Sequence, residues 1–531
     1  MAPPEGVVFE RDVEVPMRDG VVLRVNVFRP EAPGRYPVIM SAHPYGKDAL
    51  PEPKARGGYK VPKQFRLLPQ SQPFAISAWT SWEAPDPAQW VPRGYVVVNC
   101  DLRGWGRSDG EGALLSMQEA LDYHDLIEWA AAQPWSTGKV GLDGVSYLAI
   151  SQWGAASTRP PHLAAICPWE GFTDVYRDFA RPGGIREDGF MILWTTLLKR
   201  QKRSPVTLRK HQKQHPLMDG WWRTCMRDIE AIDVPALVCA SFSDHNLHSR
   251  GSFEGFRRIR STQKWCYTHR GPKWSVYYSP EATAFRAKFF DHFLRGDDTG
   301  IAETPPVRIE IREDASTVAA VRHADQWPPA DVRWTSGYLD TERGTLAAEP
   351  PAEHGCTEFD LRKGNAAFTW RVTEDVDLVG PMVLRCWVEV RGAPDAHLHV
   401  AVRKLRRGKV VGFEGSYGYD FDVMTRGQLK VSHRALDDTK SLPWLPWHPH
   451  TAEQSVHGGA VVPVDIELLS QATRLRAGES LRLEIHGWPF VGRSPLFGQF
   501  PAGYEKGPKG TCIVHTGVSA PSSLLLPILP M

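Results

Sequence analysis

The chain has 531 residues, with 63 Lys+Arg against 61 Asp+Glu, 42% hydrophobic and 23% charged residues. At roughly 100 to 200 residues per domain this length suits two to four domains, and the composition is that of a soluble globular protein, which disfavours disorder, collagen and membrane spans. A formal net charge of +2 leaves no electrostatic footprint for nucleic acid, and no run of like charges offers a tail for anionic partners.

From Met1 to about Thr299, short apolar runs alternate with helical stretches. The runs RYPVIMSAH, GYVVVNCD, KVGLDGVS, HLAAICPW, PALVCASFS and KWCYTH are bounded by turn residues, as expected of a parallel sheet buried on both faces. Residues 49 to 90 are rich in Pro, Gly and aromatics without clear periodicity, and are expected to form an insertion or lid. Between the second and third runs, Ser116 and Glu119 have the spacing of a capping box. Ala120, His124, Ile127 and Ala131 recur at helical spacing, and Gln133-Pro134 ends the element. Residues 171 to 228, with ILWTTLLKR and MDGWWRTCMRDIEAI, predict a helical cap inserted between two strands. After about residue 303 the pattern becomes alternating apolar and polar, as in VRIEIRED, MVLRCWVEV, HLHVAVRKL, VVPVDIEL and SLRLEIHGW, which predicts an all-β sandwich or jelly roll. The expected division is therefore an α/β domain over 1–170 and 229–303, a cap over 171–228, and a β-domain over 304–531.

The 20 Trp and 44 Pro imply many large rigid side chains lining cores or pockets. Eight cysteines are scattered without a C-x-x-C pair and are expected to be buried free thiols. The start, MAPPEGVVFERDVEV, has no basic region followed by an apolar stretch, and a cytoplasmic location is the expectation.

The chemistry is concentrated in KVGLDGVSYLAISQW. A strand runs into Gly144-Val145-Ser146-Tyr147 and a helix follows, the context of a nucleophile elbow. Ser146 on such a turn wants a residue without a Cβ two positions earlier, here Gly144. The Tyr147 amide, at the helix N-terminus, would face a developing oxyanion. The acid and base are expected at the ends of later strands. PALVCASFS runs to Asp244 and KWCYTH ends at His269, so Asp244 and His269 complete the expected triad. His245 and His248 are rivals for the base, lying beside the acid; His292 in AKFFDHFLRG reads as a packed structural histidine.

With these residues in place, GVSYLAISQW, HPYGK (43–47), DLRGWGRSDG (101–110), FFDHFLRGDDTG (289–300) and the opening MRDGVVLRVNVFRP resemble the cocaine esterase/X-prolyl dipeptidyl-peptidase group of serine hydrolases (peptidase S15-like). The β-rich half, with its LKVSHR stretch, is similar to that group's C-terminal jelly-roll domain. The resemblance implies an α/β-hydrolase fold with a cap, Ser146 as nucleophile with Asp244 and His269, an oxyanion held by the Tyr147 amide and the Tyr45 hydroxyl, and an acyl pocket near Phe179 and Trp194, with Trp169 flanking the cap. Two departures stand out. Ala149 occupies a position where the group commonly has Gly, and the group's G-P-W-x-H string is replaced by THRGPKWS, with Ser275 where that His would fall.

Other signals are weaker. HQKQH (211–215) lacks the Glu of H-E-x-x-H and reads as a solvated face. Ser136 and Lys139 match S-x-x-K in spelling only. His397 and His399 in HLHV share one face of a strand. The expected activity is cleavage of carboxylic esters through an acyl-enzyme, with no metal or organic cofactor. The alternatives are an X-prolyl peptidase, an α-amino-acid ester hydrolase or a β-lactam acylase, for which Glu170, Asp174 and Asp178 could receive an amino group, or, from another class, a binding protein on an inactive hydrolase fold. The partner expected is a small-molecule ester or amide, not nucleic acid or membrane, and the large β-domain offers a surface for self-association.

Overall fold

The computed structural model describes residues 5–55, 59–62, 65, 70–199, 206–416, 419–456, 458–489 and 503–531. Residues 200–205 of the expected cap, and nine residues of the expected insertion (56–58, 63–64 and 66–69), lie outside the described residues.

Six apolar runs anticipated from the sequence are strands of one sheet. In chain order the strands are β1 (Val7–Pro16), β2 (Val22–Pro30), β3 (Tyr36–His43), β4 (Val96–Asp101), β5 (Ser136–Val145), β6 (Leu163–Trp169), β7 (Ala236–Ser241), β8 (Lys264–His269) and β9 (Val307–Arg312). The spatial order is β1-β2-β4-β3-β5-β6-β7-β8-β9; β1, β2 and β4 pair antiparallel, and from β4 onward every pairing is parallel. Parallel neighbours bring their C-terminal ends to one edge, where ligand sites of open α/β sheets form. The sheet is covered on both faces. Val38, Val98, Leu142, Ile166, Val238 and Cys266 belong to one apolar cluster, and Ile39, Val97, Val145, Cys167, Cys239 and Tyr267 to the other. Such double burial is why these strands read as continuous apolar runs.

The helix α1 (Met117–Ala131) starts as expected, with the Ser116 side chain accepting from the Glu119 N–H at 3.2 Å. Its buried stripe is Ala120, Tyr123, Leu126, Ile127, Ala130 and Ala131. His124 lies beside that stripe, half-buried, with Nδ1 3.1 Å from Thr158 Oγ1. Between β6 and β7 the chain forms helical turns at Val175–Ala180 and Gly220–Thr224 and helices at Phe190–Lys199 and Leu208–Gln214. In HQKQH the rings of His211 and His215 lie against the Trp221 ring at 4.2 and 5.4 Å, and His215 Nδ1 is 2.6 Å from Asp219.

Beyond β9 every pairing among the main strands of the described residues but two short ones is antiparallel. The long strand Val376–Arg391 pairs with Val461–Leu475, Thr511–Thr516 and Ser523–Leu529, while His397–Arg406 pairs with Thr425–Lys430 and Ser480–His486. Their inward side chains, among them Leu384, Val388, Val400, Ile466 and Leu483, enclose a separate core. The two halves are fastened by charge: Arg250 meets Asp178 at 2.9 Å and Glu467 at 3.0 Å, and the Arg177 guanidinium lies 4.7 Å from the Trp447 ring. All eight cysteines are unbridged; six are buried, Cys225 is half-buried and Cys356 is exposed. No helix among the described residues is long and apolar enough to cross a membrane.

Candidate active site

Ser146 sits where β5 meets the helix α2 (Tyr147–Ser157), at φ 61° and ψ −118°, a strained conformation for a residue with a Cβ. The strain is held from several sides. The Ser146 N–H donates to the Trp169 carbonyl at 3.0 Å, and the Ser146 carbonyl accepts from Ala149 and Ile150 at 2.9 Å. Gly144 lies at φ 145°, and a Cβ there would meet the Leu148 Cβ at 2.5 Å, which accounts for the glycine two residues before the serine. The departure at Ala149 is matched across the contact: a Cβ at Gly171 would lie 2.6 Å from the Ala149 Cβ, so the extra methyl occupies space that Gly171 leaves open.

The imidazole at the serine is that of His248, whose Nε2 is 3.0 Å from Ser146 Oγ. Its position follows from one turn of chain after β7. The Asp244 carbonyl accepts from Leu247, His248 and Ser249 at 3.3, 3.2 and 3.1 Å, and the following helix (Ser249–Arg258) fixes the turn. The Phe172 ring stacks on His248 at 5.7 Å. The His248 Nδ1 faces the Phe172 N–H at 3.3 Å. A ring that accepts from Phe172 carries its hydrogen on Nε2; general-base catalysis needs the other tautomer, and this long contact is the one it gives up. Burial, followed by the Lys273 ammonium, pushes the imidazole down to about 3, against the opposing pull of Asp244.

The expectation that His269, as the base, faces the serine is not met by this geometry. His269 Nε2 is 3.0 Å from Glu170 Oε1, and its Nδ1 accepts from the Gly271 N–H at 3.2 Å. The reason is strand parity. Along β8, His269 shares a face with Trp265 and Tyr267, which belong to the cluster opposite the one holding Cys266. The ring therefore points among Trp169, Tyr267 and Glu170, with Trp169 6.2 Å away. Trp169 is likewise corrected as a substrate-binding side chain. Its ring is fully buried against Tyr267 and Tyr277, and it reaches the site only through its carbonyl.

Asp244 is at the site but is not hydrogen bonded to an imidazole nitrogen among the described contacts. Its Oδ2 accepts from Lys273 Nζ at 2.5 Å and its Oδ1 from Ser416 Oγ, of the second half, at 2.9 Å. Burial pushes this carboxyl up, but the ammonium and His248 outweigh it and hold it below the usual carboxylate range. Neither Lys273 nor Glu83 was singled out from the sequence, although GPKW marked the first as a departure. Glu83 accepts from Trp274 Nε1 at 2.9 Å and is pushed up to about 8 by burial, with Lys273 opposing.

Tyr45 is brought to the serine by the two motifs HPYGK and DLRGWGRSD, which are tied through Asp101. Its carboxylate accepts from the Lys47 N–H at 2.6 Å and the Arg107 N–H at 2.9 Å, and a buried Lys47 ammonium bridges to Asp12 at 2.5 Å. The Tyr45 oxygen accepts from Trp194 Nε1 at 3.1 Å. Burial raises the phenol well above its ordinary value, so it stays a donor. The Tyr147 amide opens α2, where the first N–H groups have no intrahelical acceptor. The Tyr147 hydroxyl points away, donating to Glu119 at 2.7 Å. Phe179 and Trp194 do lie together, 5.9 Å apart and edge to face, and Trp194 stacks on Tyr147 at 5.9 Å. Of the insertion, Trp82 packs against Tyr45 at 6.2 Å and Trp274 at 4.8 Å.

Comparison with known proteins decides the family. The profile of X-Pro dipeptidyl-peptidase (S15 family) matches residues 19–209, and that of the X-Pro dipeptidyl-peptidase C-terminal non-catalytic domain matches residues 299–525. The solved structure of a CocE/NonD family hydrolase from Staphylococcus aureus is 36% identical, covers 98% of this chain and 94% of that one, and superposes with a TM-score of 0.93. The chain belongs to the CocE/NonD hydrolase family. The cocaine esterase of Rhodococcus sp. (strain MB1 Bresler) is 26% identical over 98% of each chain. An α-amino acid ester hydrolase, 16% identical with a TM-score of 0.74, shares the fold. The CocE/NonD sheet edge thus gathers Ser146, His248, Asp244, Tyr45 and Lys273 in this chain, with His269 one layer behind.

Glu170, Cys239 and His269 form one three-donor group among the described residues, with ligand atoms within 4.8 Å of one another. The Lys273 ammonium, 3.8 Å from Glu170 Oε2, sets a positive charge beside it and opposes a metal cation there.

Proposed function

We propose that this CocE/NonD hydrolase is a serine esterase that cleaves carboxylic esters through an acyl-enzyme, with Ser146 as nucleophile and His248 as general base. The observation that carries the reading is the 3.0 Å contact between Ser146 Oγ and His248 Nε2 on a left-handed elbow. Ser146 attacks the acyl carbon while its proton passes to His248. The negative charge that develops on the acyl oxygen is stabilised by the Tyr147 amide and the Tyr45 hydroxyl. His248 then returns the proton to the departing alcohol, and water, deprotonated by the same imidazole, releases the acid. Asp244, one turn before His248, supplies negative charge that favours the transient imidazolium. Phe179 and Trp194 line the acyl side.

The ester reading is favoured over the amino-recognising alternatives by the state of the three carboxylates that such substrates would need. Glu170 is engaged by His269 and Ser241, Asp174 by Arg177 and the Tyr176 N–H, and Asp178 by Arg250 and the Thr173 and Asp174 N–H groups. Each already has buried partners with which a substrate ammonium would have to compete. Against the inactive-scaffold reading stands the strain at Ser146, which a chain relieved of catalysis has no reason to keep. In the same proposal the architecture is an α/β-hydrolase domain (1–170 and 229–303) with a cap (171–228) and a jelly roll (304–531). The protein works in the cytoplasm on small molecules, not on nucleic acid or membranes, and the jelly roll offers a surface for self-association. Ser146→Ala should abolish both hydrolysis of p-nitrophenyl esters and labelling by a fluorophosphonate probe; more than a trace of either in the folded variant refutes the assignment. Faster turnover of dipeptidyl-Pro amides than of esters would favour the peptidase reading.

A further inference from the structure

The loop after β8 places a lysine at the site where the sequence pattern of the family leads one to look for an imidazole. Lys273 is 2% exposed, and its ammonium lies 2.5 Å from Asp244 Oδ2 and 3.8 Å from Glu170 Oε2. Ser416 Oγ occupies the other Asp244 oxygen at 2.9 Å. The Asp244 carboxylate is thus committed to donors other than His248, whose Nδ1 faces a backbone N–H instead. Removing either partner of so close a buried pair would strand the other in a low-dielectric interior.

We propose that Lys273 is a positioning residue of the hydrolase reaction: its buried ammonium takes up the Asp244 carboxylate that a Ser–Asp–His triad would direct at the imidazole, and its fixed charge sets the electrostatics under which His248 works as a base. The proposal rests on the reading of Ser146 and His248 given above. The groups facing the Lys273 ammonium are Asp244 from the β7 turn, Glu170 from the end of β6, Glu83 and Tyr45 from the loops after β3, and His248. The groups that act on His248 are Lys273 and Asp244, with opposite signs. Burial is the larger cause of the low proton affinity of His248, and the cation adds to it in the same direction. The cation also favours negative charge arising on the Tyr45 side of the site, where the acyl oxygen is to be held. No proton leaves Lys273 in this scheme; the only transfer is Ser146 Oγ to His248 Nε2 and back.

The test uses the full chain and a p-nitrophenyl ester, with kcat and KM measured by stopped assay from pH 2.5 to 9, a range that spans the wild-type acid limb. Lys273→Met should lower kcat at least tenfold with KM changed less than about threefold, and should move the acid limb of kcat/KM upward by about one pH unit, because the charge that holds the imidazole down is gone. Lys273→Arg, which keeps the charge, should leave the acid limb in place. If Lys273→Met does not fold, the charge-neutral pair Lys273→Met with Asp244→Asn replaces it. There the two opposing influences on His248 leave together, so the acid limb should stay near wild type while kcat falls at least tenfold. Wild-type kcat and acid limb in folded Lys273→Met, or wild-type kcat in the folded double variant, would overturn the proposal. His248→Asn separates the two failures: if it is inactive while Lys273→Met is unchanged, only the role of Lys273 is wrong; if it retains activity, the base itself is wrong and the proposal falls with it.

Discussion

His248 and His269 differ in what their loss should do, and the difference can be measured on one pair of variants. His248→Asn keeps a polar side chain but removes a nitrogen able to take the serine proton. A positioned general base contributes about 10²–10⁴ in rate, or about 2.7–5.4 kcal/mol at 1.36 kcal/mol per decade. The 3.0 Å contact is already at hydrogen-bond length, so the whole of that factor is at stake. The expected result is a loss of kcat by at least 10² with little change in thermal unfolding, since the side chain's main polar partners are Ser146 and one long amide contact. His269→Asn removes the donor to Glu170, leaving that buried carboxylate with Ser241 Oγ at 2.9 Å and the Lys273 ammonium at 3.8 Å. Under-satisfying a buried acceptor costs about 1–3 kcal/mol. That loss should appear as a lower unfolding temperature, with kcat within about tenfold of wild type. Stopped assays of a p-nitrophenyl ester beside thermal unfolding give both quantities from the same preparations. A folded His269→Asn that loses 10² or more in kcat, together with an active His248→Asn, would refute the assignment of roles.

Three further outcomes follow from the packing. Gly144→Ala combines a φ of 145° with a Cβ 2.5 Å from the Leu148 Cβ, and strain plus overpacking should cost roughly 3 kcal/mol or more of stability and at least tenfold in kcat; denaturant unfolding and ester turnover would reveal it, and an unperturbed variant would contradict the elbow geometry. Gly171→Ala should destabilise by about 1–3 kcal/mol, and adding Ala149→Gly should recover part of that loss, a coupling readable by a double-mutant cycle. His399 in the β-half is pushed down to about 3 by burial, with His397 and His486 adding to the effect. In the unfolded chain it takes its proton near 6.5, so its contribution is present above that pH and is lost as pH falls from 6.5 towards 3, at about 1.4 kcal/mol per pH unit. His399→Phe should therefore gain on wild type over that window in acid unfolding followed by tryptophan fluorescence; parallel curves would show that the ring is not neutral in the folded state.

The strands and the elbow at Ser146 were legible because both write local patterns. Parallel strands buried on two faces are continuous apolar runs, and an elbow needs Gly144, Ser146 and a helix start within a few residues. Asp244 was legible for the same reason, as the turn that ends the β7 run. Which imidazole meets Ser146 was not, and the fault lies in treating the end of a strand as a direction. Position at the edge is common to both faces, whereas parity sends His269 to the face of Trp265 and Tyr267; KWCYTH contained that parity. Trp169 was misjudged by the same route, since its backbone is at the site and its ring is behind it. His124 was placed on the α1 stripe by spacing alone, and Tyr123 and Leu126 took the buried positions beside it.

Lys273 and Glu83 belong to a different class, because their roles arise only when β6, β7 and the loops after β3 and β8 meet. Yet one sequence feature bore on them. The string THRGPKWS carries no imidazole after Gly271-Pro272, and a carboxylate left at Asp244 without a partner would be a buried, uncompensated charge of several kcal/mol. A cation within hydrogen-bond reach is one way to satisfy Asp244, beside the Ser416 hydroxyl. Lys273 lies two residues after Gly271 in that same loop, and its 2.5 Å ion pair provides that contact. The imidazole then enters from the other side of the acid, one turn along the chain at His248. Under the proposed assignment the departure in the motif and the imidazole at Ser146 are linked: Ser275, where the string would carry its histidine, lies 27 residues beyond His248, and the loop that ends there carries the lysine that pairs with Asp244.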